Sequence, residues 1–302
     1  MYLSLGSFGS VSQEKAVQYT LGNNAGTRLS MTDYGARITD LIVTDRWGDD
    51  VNIVLGLADA GEYARDTNVM GALCVRTGDF VDRRLEDGFD RQLWKVDMSP
   101  EGLTFSRTGI IPGGEVTVRS TVSVSEENDI RFLCEAEATA PVSLHLLRCC
   151  YFNLDGRQAL GATHHRLKVN AVCYIPYGAD AMPADKVLPV RGTALDFTEF
   201  THVGNRLYDP LVRDRGGYDH CFLLDGEDAA VRPACELIGE EGRRLVLETN
   251  LPALRLYTAN RMADPHRGIV LAPEVRPGRV LQPGQTVRTE VIWHIREGKN
   301  VL

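Results

Sequence analysis

Hydrophobic and polar positions alternate with a period of two along much of the chain. Val116, Val118, Val122 and Val124 mark one face of a strand, Ile130, Phe132, Cys134, Ala136 and Ala138 mark one face of the next, and the polar run SEEN between them reads as a turn. The same grammar recurs in ARITDLIVTDRWGDDVNIVLGL, in RRLVLETNLPALRLYTAN and in TVRTEVIWHI, where β-branched and apolar runs are broken by Gly, Asp, Asn or Pro. Helical periodicity is confined to short stretches such as LADAGEYARD, so a fold built from βαβ units has little support. Neither a G-x-G-x-x-G run nor a P-loop sequence is present. No low-complexity linker, composition break or fixed-period repeat divides the chain. The pattern predicts an all-β protein, a large antiparallel β-sandwich forming one domain over residues 1–302.

Composition narrows the function classes. Of the 302 residues, 43% are hydrophobic and 25% charged, enough apolar material for a core without any bias toward disorder. The formal charge of −8 argues against a nucleic-acid partner, because phosphate binding relies on clustered Lys and Arg, and the clusters DRR and RDR are diluted by acids. No run of about 18 apolar residues suggests a membrane span, and MYLSLGSFGSVSQEK lacks the basic start and apolar centre of a signal peptide. A cytoplasmic location is expected. Seven cysteines without C-x-x-C spacing suit reduced thiols rather than a disulfide framework. His164 and His165 are adjacent, so on a strand they point to opposite faces and cannot share a metal. Neither a metal nor a cofactor is expected.

Several stretches, taken in order, resemble the aldose 1-epimerase (galactose mutarotase) family. DYGARITDLIVTDRWGDDVNIVLGL resembles its opening Y-G-A strands and D-x-x-G hairpin, GALCVRTGDF its G-A-x-x-G-R segment, and GFDRQLW its G-F-D-K-x-x-W. HHRLKVNAVCYIPYGADAMPADKVLPVRGTALDFTEF follows the strand pair leading to V-x-G-T-x-x-D-F, GGYDHCFLL is close to G-Y-D-H-x-F, and LYTAN mirrors Y-T-G-N. In LHLLRCCYFNLDG, residues Tyr151, Phe152, Asn153 and Leu154 match the family's N-H-S-Y-F-N-L, while Arg148, Cys149 and Cys150 stand where Asn, His and Ser would be. The resemblance spans nearly the whole chain and implies the galactose mutarotase-like β-sandwich.

It also implies roles. In this family a His protonates the ring oxygen of a cyclic sugar and a Glu takes the proton from the anomeric hydroxyl; the ring opens, rotates and recloses. Arg76 falls on the sugar-binding arginine and Asp219 on the aspartate that grips ring hydroxyls, with His220 and Asn153 as further substrate-binding positions. Forked guanidinium donors and carboxylate acceptors suit vicinal hydroxyls. The acid position is held by Cys149, and His145, four residues earlier and on the same face of an unbroken strand, is a second candidate acid. Cys149 also admits a plain reading as a structural thiol. The expected base aligns with Ala272; Glu274 lies two residues on, on the same face but displaced by roughly 6–7 Å. Glu274 can be read as a base, as a substrate hydrogen-bonder or as an ordinary ion-pair partner. Only TGDFVDRRLED separates Arg76 from Gly88, an interval shorter than the family usually carries, so the resemblance implies that the hairpin with the family's second His is missing, and one wall of the pocket is expected to be missing with it. Arg76, Cys149, Asn153, Asp219, His220 and Glu274 are expected to line one concave pocket.

Binding positions are thus retained while the acid and base positions have changed. The leading expectation is a divergent isomerase acting by acid/base proton transfer on a cyclic hemiacetal, lactol or sugar-like compound bulkier than free galactose. The alternatives are a carbohydrate-binding or regulatory protein without turnover, and a cyclase or lyase of a biosynthetic pathway reusing the same cavity. The partner in each case is a small carbohydrate-like molecule, and nothing in the sequence speaks to oligomeric state.

Overall fold

The computed structural model describes residues 2–77, 88–176, 184, 186–227, 229–275 and 280–297. Its described residues are predominantly strand, arranged in four antiparallel sheets. The first is a meander of five consecutive strands, Tyr2–Val11, Glu14–Gly22, Arg28–Thr32, Arg37–Thr44 and Asp50–Asn52. A nine-stranded sheet holds Gly114–Val124 and Asp129–Ala138 at its heart, in the register Ile130 opposite Val124 through Ala138 opposite Val116. The alternation read from the sequence is realised there: the apolar positions of both strands are buried, and Asn128 closes the SEEN turn in a left-handed conformation. The helix expected in LADAGEYARD is one short turn and a half, Ala60–Arg65, capped by the Asp59 carboxylate, which accepts from the Glu62 N–H.

Two smaller sheets carry the candidate site. One joins Val142–Arg148 to Leu73–Thr77 and Val280–Leu281. The other orders Tyr151–Phe152, Ile269–Glu274, Ala253–Tyr257, Asp219–Leu223, Cys173–Ile175 and Leu188–Pro189. The chain passes from one to the other through Cys149 and Cys150, so the two sheets share a face at that bend.

One side of this pair packs on the nine-stranded sheet. Trp293 of that sheet meets Phe152 edge-on at a ring separation of 4.8 Å, joining the layers, and packs edge-on at 4.7 Å on Phe132 of the neighbouring strand in its own sheet. Leu73, Leu146, Leu254, Leu256 and Leu271 join the same main core. A cavity of about 30 Å³ lies in this layer, lined in part by Leu146, Arg148, Leu271 and Trp293. Among the described residues no helix is long and apolar enough to cross a membrane.

Candidate active site

Strand alternation divides the residues of these sheets between two faces. Leu73, Leu146 and Leu271 go to the core, while Cys74, Leu147, Val270 and Ala272 form a second apolar cluster on the other side, with Cys149 and Tyr257 half-buried against it. Residues directly opposite on antiparallel strands share a face. Arg76 lies opposite His145, Asp219 opposite Tyr257, and Arg255 opposite both Cys221 and Ala272. Glu274, two residues beyond Ala272, projects to the same side as Ala272. Arg76, His145, Cys149, Asp219 and Glu274 are therefore brought to one face, together with Arg255.

Cys149 is held by its backbone: its N–H donates to the Ala72 carbonyl at 2.9 Å and its carbonyl accepts from Gly71 at 2.8 Å. Gly71 has φ +71°, and a Cβ there would stand 2.0 Å from the Ile38 carbonyl oxygen, so glycine is required for the strands to meet. The Cys149 sulfur lies 3.5 Å from that of Cys74. A hydrogen bond from Cys74 lowers the Cys149 thiol below the ordinary range against the opposing effect of burial, and the positive charges of Arg76, Arg255 and Arg37 add to the lowering. The same contact, with burial, pushes Cys74 well up. Arg37 is fully buried, donating to the Met70 and Asp90 carbonyls at 2.7 and 2.9 Å beside the carboxylates of Asp66 and Asp90.

On the far side of the face, Arg255 Nε stands 3.6 Å from Asp219 Oδ1, with both side chains about a quarter exposed (23% and 24%). Glu274 is buried, at 1% exposure. Burial pushes the Cys221 thiol well up, and the adjacent Glu274 carboxylate adds to it. Ala272 fills the position of the expected base with a methyl group.

Two expected site residues are placed elsewhere. His220 follows Asp219 directly on a strand, so it points to the opposite face: it is 2% exposed, lies opposite Leu256 and meets Tyr218 edge-on at 6.2 Å. Its Nδ1 accepts from the Asp219 backbone N–H at 3.1 Å, and burial pushes its pKa down to about 4. It is a neutral core histidine, and its expected place in the pocket is corrected accordingly. Asn153 is fully buried; its amide donates to the Arg267 carbonyl at 3.0 Å and its oxygen accepts from the Asp155 N–H at 3.2 Å. Both ends of its amide thus brace the turn that follows the strand, which ends at Phe152. Arg148, the neighbour of Cys149, likewise turns to the core, donating to Ser120 Oγ at 2.9 Å and to the Ala36 carbonyl at 3.2 Å over the Phe132 ring. The shortened interval falls at residues 78–87, outside the described residues.

Cys74, Arg255 and Cys221 were not among the expected site residues. Period two applied backwards from Arg76 and from the tyrosine of LYTAN marks the first two; Cys221 follows from Asp219 by the same step.

The family model for aldose 1-epimerase matches residues 86–292. The chain is 26% identical over 296 residues to galactose mutarotase of Homo sapiens, covering 85% of this chain and 84% of that protein. It is 26% identical over 282 residues to aldose 1-epimerase of Escherichia coli (strain K12), covering 82% and 80%. Among solved structures it superposes on galactose 1-epimerase from Lactobacillus acidophilus NCFM with a TM-score of 0.84 at 21% identity, over 99% of both chains. An aldose epimerase homologue from C. elegans gives a TM-score of 0.81 at 16% identity, over 98% of this chain and 100% of that one. The solved structures share its fold, and the match to the family model over most of its length shows that the chain belongs to the aldose 1-epimerase family.

Proposed function

We propose that the protein is an isomerase that opens and recloses the ring of a cyclic hemiacetal, lactol or related sugar-like compound by proton transfer. The observation that carries this reading is Cys149: a half-buried thiol on the shared face, lowered by Cys74 and by arginines, at the position where the family resemblance puts the acid. A lowered thiol gives up its proton more readily than an ordinary one and can take it back, which a reversible ring opening needs from the group facing the ring oxygen. Glu274 serves as the partner base, shifted along its strand from Ala272, and Arg76, Asp219 and Arg255 hold hydroxyls of the substrate. His145, on the same face beside Arg76, is the alternative acid.

The displacement of the base argues against the ordinary hexose geometry, and the short interval before Gly88 argues for a bulkier substrate than galactose. The names of the human and Escherichia coli relatives, galactose mutarotase and aldose 1-epimerase, supply the reaction class. The test is anomer interconversion followed by polarimetry and NMR exchange over glucose, galactose, reducing disaccharides and simple lactols. Glucose and galactose should be accelerated little; at least one larger substrate should turn over. Cys149→Ala and Glu274→Gln should each lower that rate by ~100–10,000-fold. A full rate in Cys149→Ala refutes Cys149 as the acid and favours His145. Binding without acceleration of any substrate on the panel refutes the isomerase reading in favour of a carbohydrate-binding protein.

A further inference from the structure

All seven cysteines are free thiols, and among the described residues one pair has its sulfurs in contact, Cys74 and Cys149 at 3.5 Å. They sit on neighbouring antiparallel segments. Cys74 lies opposite Leu147, which places Cys149 diagonally across the ladder on the same face, where the two backbone bonds to Gly71 and Ala72 hold it. The pair is asymmetric: Cys149 is half-buried, whereas Cys74 is 3% exposed.

The geometry points to Cys74 and Cys149 as an oxidation site, at which a hydroperoxide converts the pair to a disulfide in the floor of the candidate active site. The sulfurs must close from 3.5 Å to a bonded ~2.05 Å, by side-chain rotation together with an inward shift of the backbone at the Cys149 bend, which lies beyond the end of its strand. Cys149 is the attacking sulfur, since the Cys74 hydrogen bond and, after it, the charge of the nearby arginines favour its thiolate. The thiolate attacks one peroxide oxygen, the O–O bond breaks and hydroxide leaves as water, giving a sulfenic acid on Cys149. The Cys74 sulfur then attacks the sulfenic sulfur, the S–O bond breaks, and the second water carries off the Cys74 proton. Two thiols and one hydrogen peroxide become one disulfide and two waters. The functional consequence rests on the role proposed for Cys149: the disulfide removes the proton that thiol carries, so oxidation stops turnover and a thiol reductant restores it.

The full chain, reduced and then freed of reductant, is treated with hydrogen peroxide and analysed by intact mass, thiol count and peptide mapping. Loss of two hydrogens, two fewer thiols and a peptide linking Cys74 to Cys149, all reversed by dithiothreitol, are expected. In Cys74→Ser the resolving sulfur is gone, so Cys149 should gain an oxygen and be trapped by dimedone; should that variant not fold, the map of the wild-type protein decides alone. Stepwise oxygen addition with no link between the two residues, or a link to another cysteine, overturns the proposal. Anomer exchange measured on the same samples separates the two readings. A reversible disulfide with an activity loss of tenfold or more supports both, whereas a reversible disulfide with undiminished turnover supports the oxidation site and refutes the catalytic role of Cys149.

Discussion

Replacing His220 with asparagine should flatten the acid side of the stability profile while leaving ligand binding intact. His220 is 2% exposed on the core side of Asp219–Leu223, and burial, with the nearby charge of Arg215, depresses its pKa to about 4. In the unfolded chain an ordinary histidine takes up its proton near pH ~6.5. Between those values the unfolded chain binds a proton that the folded protein refuses, so stability present above pH ~6.5 is lost as the pH falls. From the two pKa values the loss between pH 7 and pH 5 is about 2 kcal/mol, approaching ~3 kcal/mol below pH 4. His220→Asn removes the titration yet keeps an acceptor for the Asp219 N–H, which His220 Nδ1 now meets at 3.1 Å. Urea unfolding at pH 7, 6 and 5 and constant ionic strength measures the effect. His165, the other buried histidine pushed down to about 4, is present in both proteins and cancels in the comparison. Curves for the two proteins that stay parallel from pH 7 to pH 5 would refute the reasoning. So would weakened sugar binding by the variant at pH 7, which would return His220 to the pocket.

Arg37→Met should cost about 3–5 kcal/mol in denaturant unfolding, because it strands the buried carboxylates of Asp66 and Asp90 beside a lost guanidinium; a loss under ~1 kcal/mol would show that the cluster is not held by charge. Asp219→Ala should weaken ligand binding by about 1–3 kcal/mol in calorimetric titration by leaving a substrate hydroxyl unpaired, and unchanged affinity removes its binding role. Alkylation of Cys149 by iodoacetamide should rise with a pH midpoint below that of an ordinary free thiol measured alongside it. Cys74→Ala should move that midpoint upward, since the Cys74 hydrogen bond is the largest cause of the lowering; a midpoint unmoved by the substitution would assign the effect to the arginines alone.

What the sequence determined by itself is local or repeated. Period-two alternation in residues 116–138 dictates strands with one buried face, since a strand that hides every second side chain has few alternatives, and the ordered run of family motifs from DYGAR to LYTAN carries the topology. The same period also contained a warning about the site: Asp219 and His220 are consecutive on a strand and cannot share a face, and Arg148 and Cys149 part in the same way. Motif matching groups residues by their neighbours in sequence, whereas a pocket selects them by direction. Asn153 shows a second limit, because its side chain is committed to a turn that forms only once Arg267 and Asp155 are brought against it. The pairing of Cys74 with Cys149, the ion pair of Arg255 with Asp219 and the packing of Glu274 against Cys221 join residues 75, 36 and 53 positions apart. No window of sequence contains such contacts: they depend on strand register and on the bend at Cys149 that merges two sheets, and these are set by how the whole chain buries its apolar faces.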